Sequence, residues 1–280
     1  MELSKKFKLP TKRALIMAHY HSNGLVRTDT MQLLKEAHNY FDRVIVVSTN
    51  FNQSFKCNLP AHVELYSREN IGYDFYSYRY GLNKLMENSA AWEALDEVCL
   101  LNSSFLCFDA KNFFENLLKN ELSYKDAFGL VKSHESTEHI QSYVVVLKSN
   151  ILKNQILLNW WDSMKPINER QGVIENYEIG LSRLIIKIGG ELNAAFNHFS
   201  YEPNVSIRPD AIEDKLKTVE YINNYCNPSH FHWKNLLDNF SIIKIEVIKS
   251  NPFKMDIKPF VELINKNIRY SEITLEGLSN

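Results

Sequence analysis

Residues 43–50 read RVIVVSTN, and the apolar part of this stretch is an unbroken run of Val and Ile. β-branched side chains favour strands, and a run without polar alternation is typical of a strand that is buried on both faces. Polar Ser48, Thr49 and Asn50 follow directly, so the chain turns polar where this strand ends. The stretch therefore predicts a strand of a parallel sheet that helices cover on both faces.

The segments around this stretch repeat the alternation of strand and helix. Further strands are predicted at ALIMAHY (14–20), HVELYS (62–67) and EVCLLNSS (97–104). Helices are predicted at residues 28–41, with Thr28 or Asp29 as N-cap, and at residues 75–86, because apolar side chains recur there at helical spacing. The alternation indicates an α/β fold with a mostly parallel central sheet. In such sheets, ligands bind beyond the carboxyl ends of the strands.

The second half of the chain is more mixed. Strands are predicted at residues 127–133, 141–149 and 242–250, and helices at residues 151–161, 173–189 and 257–267. The sequence shows no internal repeat, no low-complexity tract and no clear linker. We therefore expect one integrated domain over residues 1–280.

The composition narrows the classes of protein. The chain has 280 residues, of which 45% are hydrophobic and 23% charged, as in folded globular proteins. Its formal net charge of −1 gives no electrostatic case for binding nucleic acid. The four cysteines form no CxxC pair, and the sequence has no GxGxxG, GxxxxGK[ST], GxSxG or HExxH motif. Dinucleotide enzymes, P-loop ATPases, serine hydrolases and zinc proteases are therefore disfavoured.

The sequence also carries a prediction of location. The apolar runs are far shorter than the roughly 20 residues of a membrane-spanning helix, and the basic stretch from Lys5 to Lys8 is not followed by an uninterrupted apolar region of the kind that a signal peptide has. We expect a cytoplasmic protein. The basic N-terminus is either a solvated end or a peripheral contact with anionic lipid at the inner face of the cytoplasmic membrane.

Residues 70–82 read NIGYDFYSYRYGL and form the first candidate site. Gly72 permits a tight turn with positive φ, and Asp74 stands at the expected N-cap of the helix that follows. The free N–H groups of a first helical turn favour an anion. Two explanations stay open at this point: a turn glycine with a capping aspartate before core aromatics, or a loop that receives a phosphate-bearing ligand.

Four more stretches carry polar residues at suggestive places. LLNSSF (100–105) ends a strand with Asn102, Ser103 and Ser104. HIQSYVVV (139–146) places His139, Gln141 and Tyr143 on one face of a predicted strand. Glu178 lies in a predicted helix, and NPSHFHWKNLL (227–237) contains His230, His232 and Trp233. Each has an ordinary structural explanation when it is taken alone.

Taken together and in order, these stretches resemble the rhamnan synthesis protein F family. The resemblance rests on AHYHSNG, ENIGYDFYSYRYGL, LLNSSF, HIQSYVVVLKS, YEIGLS, NPSHFHWKNLL and IKIEVIKSNP, and it runs from about residue 14 to residue 252. Members are bacterial glycosyltransferases that assemble cell-surface polysaccharide. The resemblance implies a GT-A-like, Rossmann-type sandwich, with a nucleotide-sugar-binding half at about residues 14–125 and an acceptor-side half at about residues 126–280.

The resemblance also implies roles for the candidate residues. The donor would be held by residues at the strand ends, namely His19, Tyr20, Asn70, Gly72, Asp74, Asn102 and Ser104. Glu178 would be the general base of an inverting transfer, with His139 as the second candidate or as a phosphate partner. The acceptor or diphosphate side would include Gln141, His230, His232 and Trp233.

The implied cofactor and partners complete these expectations. The family's strand-end motif reads N-D-S, and its acid would hold Mg²⁺ or Mn²⁺, but this chain has Ser103 there. Either a basic side chain neutralises the diphosphate, or another carboxylate supplies the metal ligand. The expected partners are a nucleotide-sugar donor, a lipid-linked or free glycan acceptor, and other polysaccharide-assembly enzymes. The alternative is a nucleotide-sugar- or glycan-binding protein of the same fold with impaired catalysis.

Overall fold

The computed structural model describes residues 11–204 and 219–279. A central sheet has the strand order β3-β2-β1-β4-β8-β6-β7, with β9 paired to β6. Its strands are β1 Arg13–His19, β2 Arg43–Ser48, β3 Val63–Ser67, β4 Glu97–Asn102, β6 Ala127–Ser133, β7 His139–Ile140, β8 Val144–Lys148 and β9 Leu192–Phe196. A small antiparallel sheet pairs β5 (Phe105–Cys107) with β10 (Ile242–Lys244).

The central sheet is mostly parallel, as the sequence predicts. The pairs β1–β2, β2–β3, β1–β4 and β6–β9 are parallel, while β8 is antiparallel to β4 and β6, and β7 is antiparallel to β6. Hence all the described strands of this sheet except β7 and β8 run in one direction. Their carboxyl ends share one edge, which is where an α/β sheet binds its ligands.

The helices lie on both sides of this sheet. In the described residues they are α1 Thr28–Ala37, α2 Gln53–Asn58, α3 Tyr73–Met86, α4 Ser89–Ala94, α5 Ala110–Leu118, α6 Ser149–Leu152, α7 Gln155–Ser163, α8 Arg170–Val173, α9 Ile179–Lys187, α10 Val219–Tyr225, α11 Pro228–Phe231, α12 Trp233–Phe240, α13 Ile245–Lys249, α14 Lys258–Lys266 and α15 Ile268–Leu278. A π-helical segment, Ile174–Glu178, joins α8 to α9. None of these helices is long and apolar enough to cross a membrane.

Three apolar clusters hold the layers together. Along β1, Ile16 packs with α3 on one face of the sheet, while Leu15 and Met17 pack with α1 and α5 on the other. This alternation explains why strands buried on both faces lack a polar period. The third cluster joins Leu106 and Phe108 to the C-terminal helices. The α/β architecture with helices on both faces is therefore confirmed.

Several predicted boundaries are wrong for physical reasons. Residues 242–250 are not one strand, because the partner β5 has only three residues; past the pairing of Lys244 with Phe105, the chain turns into α13. The helix predicted at 151–161 is two helices, and Asn154 caps the second. Residues 141–143 interrupt the strand predicted at 141–149. The N-cap of α1 is Arg27 rather than Thr28 or Asp29, and the N-cap of α3 is Gly72 rather than Asp74.

Candidate functional site

A cleft at the carboxyl ends of the strands contains three adjoining cavities. The central cavity, of about 340 Å³, is lined by Asp74, Glu178 and Lys244 among others. The loop cavity, of about 470 Å³, lies over residues 70–74 and is also lined by His19, Tyr20 and Arg68. The outer cavity, of about 480 Å³, is lined by Tyr20, Ser103, Ser104 and Lys244. Asp74 lines all three cavities, so this carboxylate lies where they meet.

The loop before α3 has the tight geometry that Gly72 predicts. Gly72 has φ 71°, and a Cβ built there would lie 2.5 Å from Cδ2 of Tyr76, so the backbone and the available space both require glycine. Tyr73 also has positive φ, at 53°. Arg68 fixes this shape, because its guanidinium donates to the backbone oxygens of Glu69, Ile71 and Tyr73. The exposed Tyr73 ring is thereby held at the mouth of the loop cavity.

A chain of hydrogen bonds joins the first half of the molecule to the second inside the cleft. The Lys244 amine donates to Oγ of Ser104 at 2.7 Å, and this hydroxyl donates to Oδ1 of Asn102 at 2.7 Å. Asn102 in turn donates from Nδ2 to Oδ2 of Asp74 at 2.8 Å. Asn102 and Ser104 therefore lie where the sequence predicts, at the end of β4. In the structure, Asn102 orients Asp74, and Ser104 receives Lys244.

Burial alters the acid–base properties of both ends of this chain. It raises the pKa of Asp74 to about 6, although Lys244, Asn102 and Arg68 oppose the shift. Burial also lowers the pKa of Lys244 to about 8, against the attraction of Glu178, Glu246 and Asp74. At neutral pH, the amine is therefore mostly protonated and the carboxylate mostly ionised. Shifted groups facing a cavity are typical of binding and catalytic sites.

Glu178 faces the central cavity from the end of the π-helical segment. Its Oε2 accepts hydrogen bonds from the Ser142 backbone N–H, at 2.7 Å, and from the Ser142 hydroxyl. Its Oε1 lies 3.6 Å from Nε2 of His139. Since Nδ1 of His139 contacts the carbonyl oxygen of Thr137 at 2.7 Å, that nitrogen carries the proton. The Glu178 carboxylate is thus held by Ser142, and the second ring nitrogen of His139 lies beside it.

Gln141 and His230 also line the central cavity, as predicted for the acceptor or diphosphate side. Gln141 is held by Asn227 and Ser229. His230 places Nε2 3.6 Å from Oε2 of Glu246, and burial lowers the pKa of this imidazole to about 4. His230 is therefore neutral at physiological pH.

His232 and Trp233 do not reach the cleft. Nε2 of His232 contacts Oδ1 of Asn223 at 2.9 Å in the protein interior. Trp233 is buried in the third apolar cluster. Side chains two residues apart in a helical turn do not share a face, which explains why His230 lines the central cavity and His232 does not. Among these three residues, only His230 lines the cleft cavities.

The charged residues that line the central cavity without a counterpart in the sequence predictions include Arg170, Lys244 and Glu246. The Arg170 guanidinium pairs with both oxygens of Glu246, at 3.1 and 3.4 Å. Lys244 and Glu246 alternate with isoleucines in IIKIEVIKS, and this polar period inside an apolar stretch is the signal that could have identified them. Nothing in the sequence around Arg170 distinguishes it.

The cleft is a poor match for the divalent cation that the resemblance implies. In residues 11–204 and 219–279, no group of three or more His, Cys, Asp or Glu side chains is arranged to hold a metal ion. Ser103 supplies a hydroxyl where the family motif has a carboxylate, and its carbonyl oxygen is taken by Arg27. Hard cations prefer several carboxylate oxygens, and this strand end offers none.

The comparisons agree with the resemblance. The model of the family described as "Rhamnan synthesis protein F" matches residues 43–226. The chain belongs to the rhamnan synthesis protein F family. The match spans the loop before α3, the end of β4, and Glu178, so these cleft residues of this rhamnan synthesis protein F chain lie inside the matched region. Lys244 and Glu246 lie beyond it.

The individual proteins that this chain is similar to have sequence identities below 30%. "Virulence protein VirA" of Vibrio anguillarum is 28% identical over 203 residues, which cover 66% of this chain and 62% of that protein. "Uncharacterized protein y4gN" of Sinorhizobium fredii is 25% identical over 173 residues, 60% of this chain and 44% of that protein. The chain thus spans less than two thirds of these relatives. A crystal structure of 4-diphosphocytidyl-2C-methyl-D-erythritol synthase aligns with a TM-score of 0.43 and 13% identity, covering 67% and 89% of the two chains.

Proposed function

We propose that this protein is a glycosyltransferase that moves a sugar from a nucleotide-sugar donor to a saccharide hydroxyl. The observation that carries the proposal is the central cavity, where Asp74 and Asn102 from the strand ends share one space with Glu178 from the other half of the chain. A transfer reaction needs a donor and an acceptor in such proximity. Membership of the rhamnan synthesis protein F family supports the same reaction class.

The donor would enter over the loop cavity. His19 and Tyr20 line this cavity beside Asn70 and Gly72, so a nucleobase could lie against the exposed Tyr20 ring. The close backbone approach at Gly72 brings the start of α3 to the diphosphate. Asp74 would accept a hydrogen bond from a ribose or sugar hydroxyl. In this proposal, residues 14–125 form the nucleotide-sugar-binding half, and residues 126–280 form the acceptor-side half, which also faces the diphosphate.

Glu178 would act as the general base of an inverting transfer. Its carboxylate takes the proton of the acceptor hydroxyl while the hydroxyl oxygen attacks the anomeric carbon, and the bond from that carbon to the diphosphate oxygen breaks. The nucleoside diphosphate leaves with the bonding electron pair. The bonds from Ser142 to Oε2 fix the carboxylate. His139 lies beside Oε1 and is the second candidate for the base.

The family description suggests the finer substrate. Rhamnan synthesis implies rhamnose as the first hexose to test as donor sugar, and a lipid-linked or free glycan of bacterial surface polysaccharide as acceptor. O-antigen, capsule and wall glycan are all acceptors of this chemical class. A location at the inner face of the cytoplasmic membrane, beside other assembly enzymes, would give access to lipid-linked acceptors.

The test is nucleotide release from a panel of UDP-, dTDP-, GDP- and CDP-sugars, with a saccharide acceptor and with or without Mg²⁺ or Mn²⁺. We expect release from at least one donor. Glu178→Gln should lower turnover by roughly 10²–10⁴, because a positioned base contributes about that factor, while donor affinity is kept. Glu175→Gln is the matched control, since Glu175 lies in the same π-helical segment with an exposed side chain.

The outcomes separate the alternatives. A loss below about 5-fold in Glu178→Gln would be too small for a general base, and would point to His139 or to no role for Glu178. Donor binding without turnover in the wild-type protein would favour the second candidate function, a nucleotide-sugar- or glycan-binding protein with impaired catalysis. Ser103 in place of the family's acid is the feature that favours this second candidate.

A further inference from the structure

The position of Lys244 follows from the small antiparallel sheet. Lys244 is the last residue of β10 and pairs with Phe105, the first residue of β5. This register places the lysine backbone beside the strand-end turn, where the Ile245 N–H also donates to the Ser104 carbonyl oxygen at 3.2 Å. A segment about 140 residues further along the chain thus returns a basic side chain to the end of β4.

The Lys244 amine is fixed by Ser104 and Tyr143 and still faces the cleft. Its one described hydrogen bond is to Oγ of Ser104, and Nζ lies 4.2 Å from the centre of the Tyr143 ring. An ammonium group has three N–H donors, so hydrogen-bonding capacity remains toward the cavities. Lys244 lines both the central and the outer cavity. The positive charge therefore lies beside the path from the donor loop to Glu178.

The surrounding charges favour the protonated amine. Asp74 on α3, Glu178 on the π-helical segment and Glu246 on α13 attract it, while Arg170 on α8 repels it. Arg170 itself is paired with Glu246 at 3.1 Å, so much of its charge is compensated. Within the described residues, Lys244 is accordingly a cation positioned to meet an anion that enters the central or the outer cavity.

We propose that Lys244 contacts the diphosphate of the donor and takes the part that a divalent cation plays in related transferases. The inference rests on the proposed function. It bears on the disagreement at Ser103, because the strand-end turn lacks a carboxylate for a metal ion there, while the neighbouring Ser104 accepts from the Lys244 amine and so brings a positive charge to the same outer cavity. As the anomeric bond breaks, the diphosphate gains negative charge, and the ammonium stabilises that charge by proximity and hydrogen bonding.

The test is calorimetric titration of UDP, dTDP, GDP and CDP into the full chain, in EDTA and again with Mg²⁺ or Mn²⁺. We expect wild-type protein to bind at least one of them in EDTA. Lys244→Met should weaken this affinity about 10- to 100-fold, the factor expected for losing a hydrogen bond to a charged group. Lys244→Arg should retain part of it. Lys234→Met is the matched control, because Lys234 lies on the exposed face of α12 and pairs with Asp238.

A second measurement does not depend on the Met variant remaining folded. In wild-type protein, affinity for the diphosphate in EDTA should fall as pH rises above about 8, because the amine then loses its proton. The same titration with Lys244→Arg should stay flat, since a guanidinium remains charged. Equal affinity in Lys244→Met and wild type, or a flat wild-type pH profile, would overturn the inference.

The result also separates this inference from the proposed function. If wild-type protein binds a nucleoside diphosphate only when Mg²⁺ or Mn²⁺ is present, the inference about Lys244 is wrong and the proposed transferase function stands. If none of the four diphosphates binds under either condition, the proposed function is contradicted, and the inference falls with it.

Discussion

Two pairs of oppositely charged side chains lie at the turn that follows β4. The first pair, Arg27 with Asp29, is closed, which means that the two charged groups bond each other directly. The Arg27 guanidinium bonds both carboxylate oxygens of Asp29, at 2.9 and 3.1 Å. It also donates to the backbone oxygens of Ser103 and Phe105, at 2.8 and 2.7 Å, and Asp29 accepts from the N–H of Cys107 at 3.0 Å. Both side chains are almost completely buried. Every charge in this pair is matched, so the pair fixes the turn.

The second pair, Lys244 with Asp74, is open, which means that its two charged groups do not bond each other directly. Lys244 and Asp74 are joined only through Ser104 and Asn102, and both side chains line cavities. Burial moves the pKa of each toward neutrality, to about 8 for Lys244 and about 6 for Asp74. Each charged group is therefore buried without a direct bond to a group of opposite charge, which costs free energy.

The difference between the closed and the open pair shows how charged residues that hold the fold can be distinguished from charged residues that serve a site. A buried pair with all its hydrogen-bonding groups satisfied holds the fold, and removing one partner leaves an uncompensated charge. Charged groups that face a cavity with shifted pKa values are kept despite their cost, which is typical of sites that bind or transform a ligand. Substitutions of the two aspartates should therefore have opposite effects on stability.

The largest expected effect is that of Asp29→Asn. It leaves the Arg27 guanidinium buried beside a neutral amide, so we expect the free energy of unfolding to fall by roughly 3–5 kcal/mol. Urea denaturation followed by circular dichroism measures this change. Asp162→Asn is the control, because Asp162 is an exposed aspartate at the end of α7. A loss below about 1 kcal/mol would mean that the pair is not the closed structural unit described above.

A smaller effect of opposite sign is expected for Asp74→Asn. Folding raises the pKa of Asp74 to about 6, so its contribution to stability is complete below the unfolded pKa of about 4 and is lost as pH rises through about 6. The amide variant should therefore show a flatter stability profile between pH 4 and 7. At pH 7.5 we expect it to be more stable than wild type by roughly 1–2 kcal/mol.

The same denaturation curves, measured across this pH range, provide the check on Asp74. Donor affinity should fall in the Asp74→Asn variant even though the fold becomes more stable. If Asp74→Asn and Asp29→Asn destabilise the protein to the same extent at pH 7.5, the distinction between the open and the closed pair is wrong.

The sequence predicts well which residues meet on the strand-end side of the cleft. The strands β1, β2 and β4 are continuous apolar runs, and parallel strands place their carboxyl ends together, so Asp74 and Asn102 could be expected on one edge. Gly72 could be identified because only a glycine tolerates that turn without strain. These predictions depend on local pattern and on the topology of parallel sheets.

The opposite side of the cleft depends on contacts that no local pattern encodes. Lys244 reaches the site through the pairing of one three-residue strand with another, and the alternation in IIKIEVIKS does not specify that long-range pairing. Arg170 is the first residue of the short helix α8, and the sequence of this helix is like that of an ordinary solvent-exposed helix. His232 was expected in the site and lies in the interior beside Asn223, because it is two residues from His230 in a helical turn and so does not share its face.

A structure of the protein with a nucleoside diphosphate bound tests the central claim most directly. The claim is that the open pair marks a donor site shared by the loop before α3 and the C-terminal segment. The account predicts the base over the loop cavity near Tyr20, and the diphosphate between the start of α3 and Lys244, within hydrogen-bonding distance of its amine. A nucleotide bound elsewhere, or one whose phosphates point away from both Gly72 and Lys244, would contradict it.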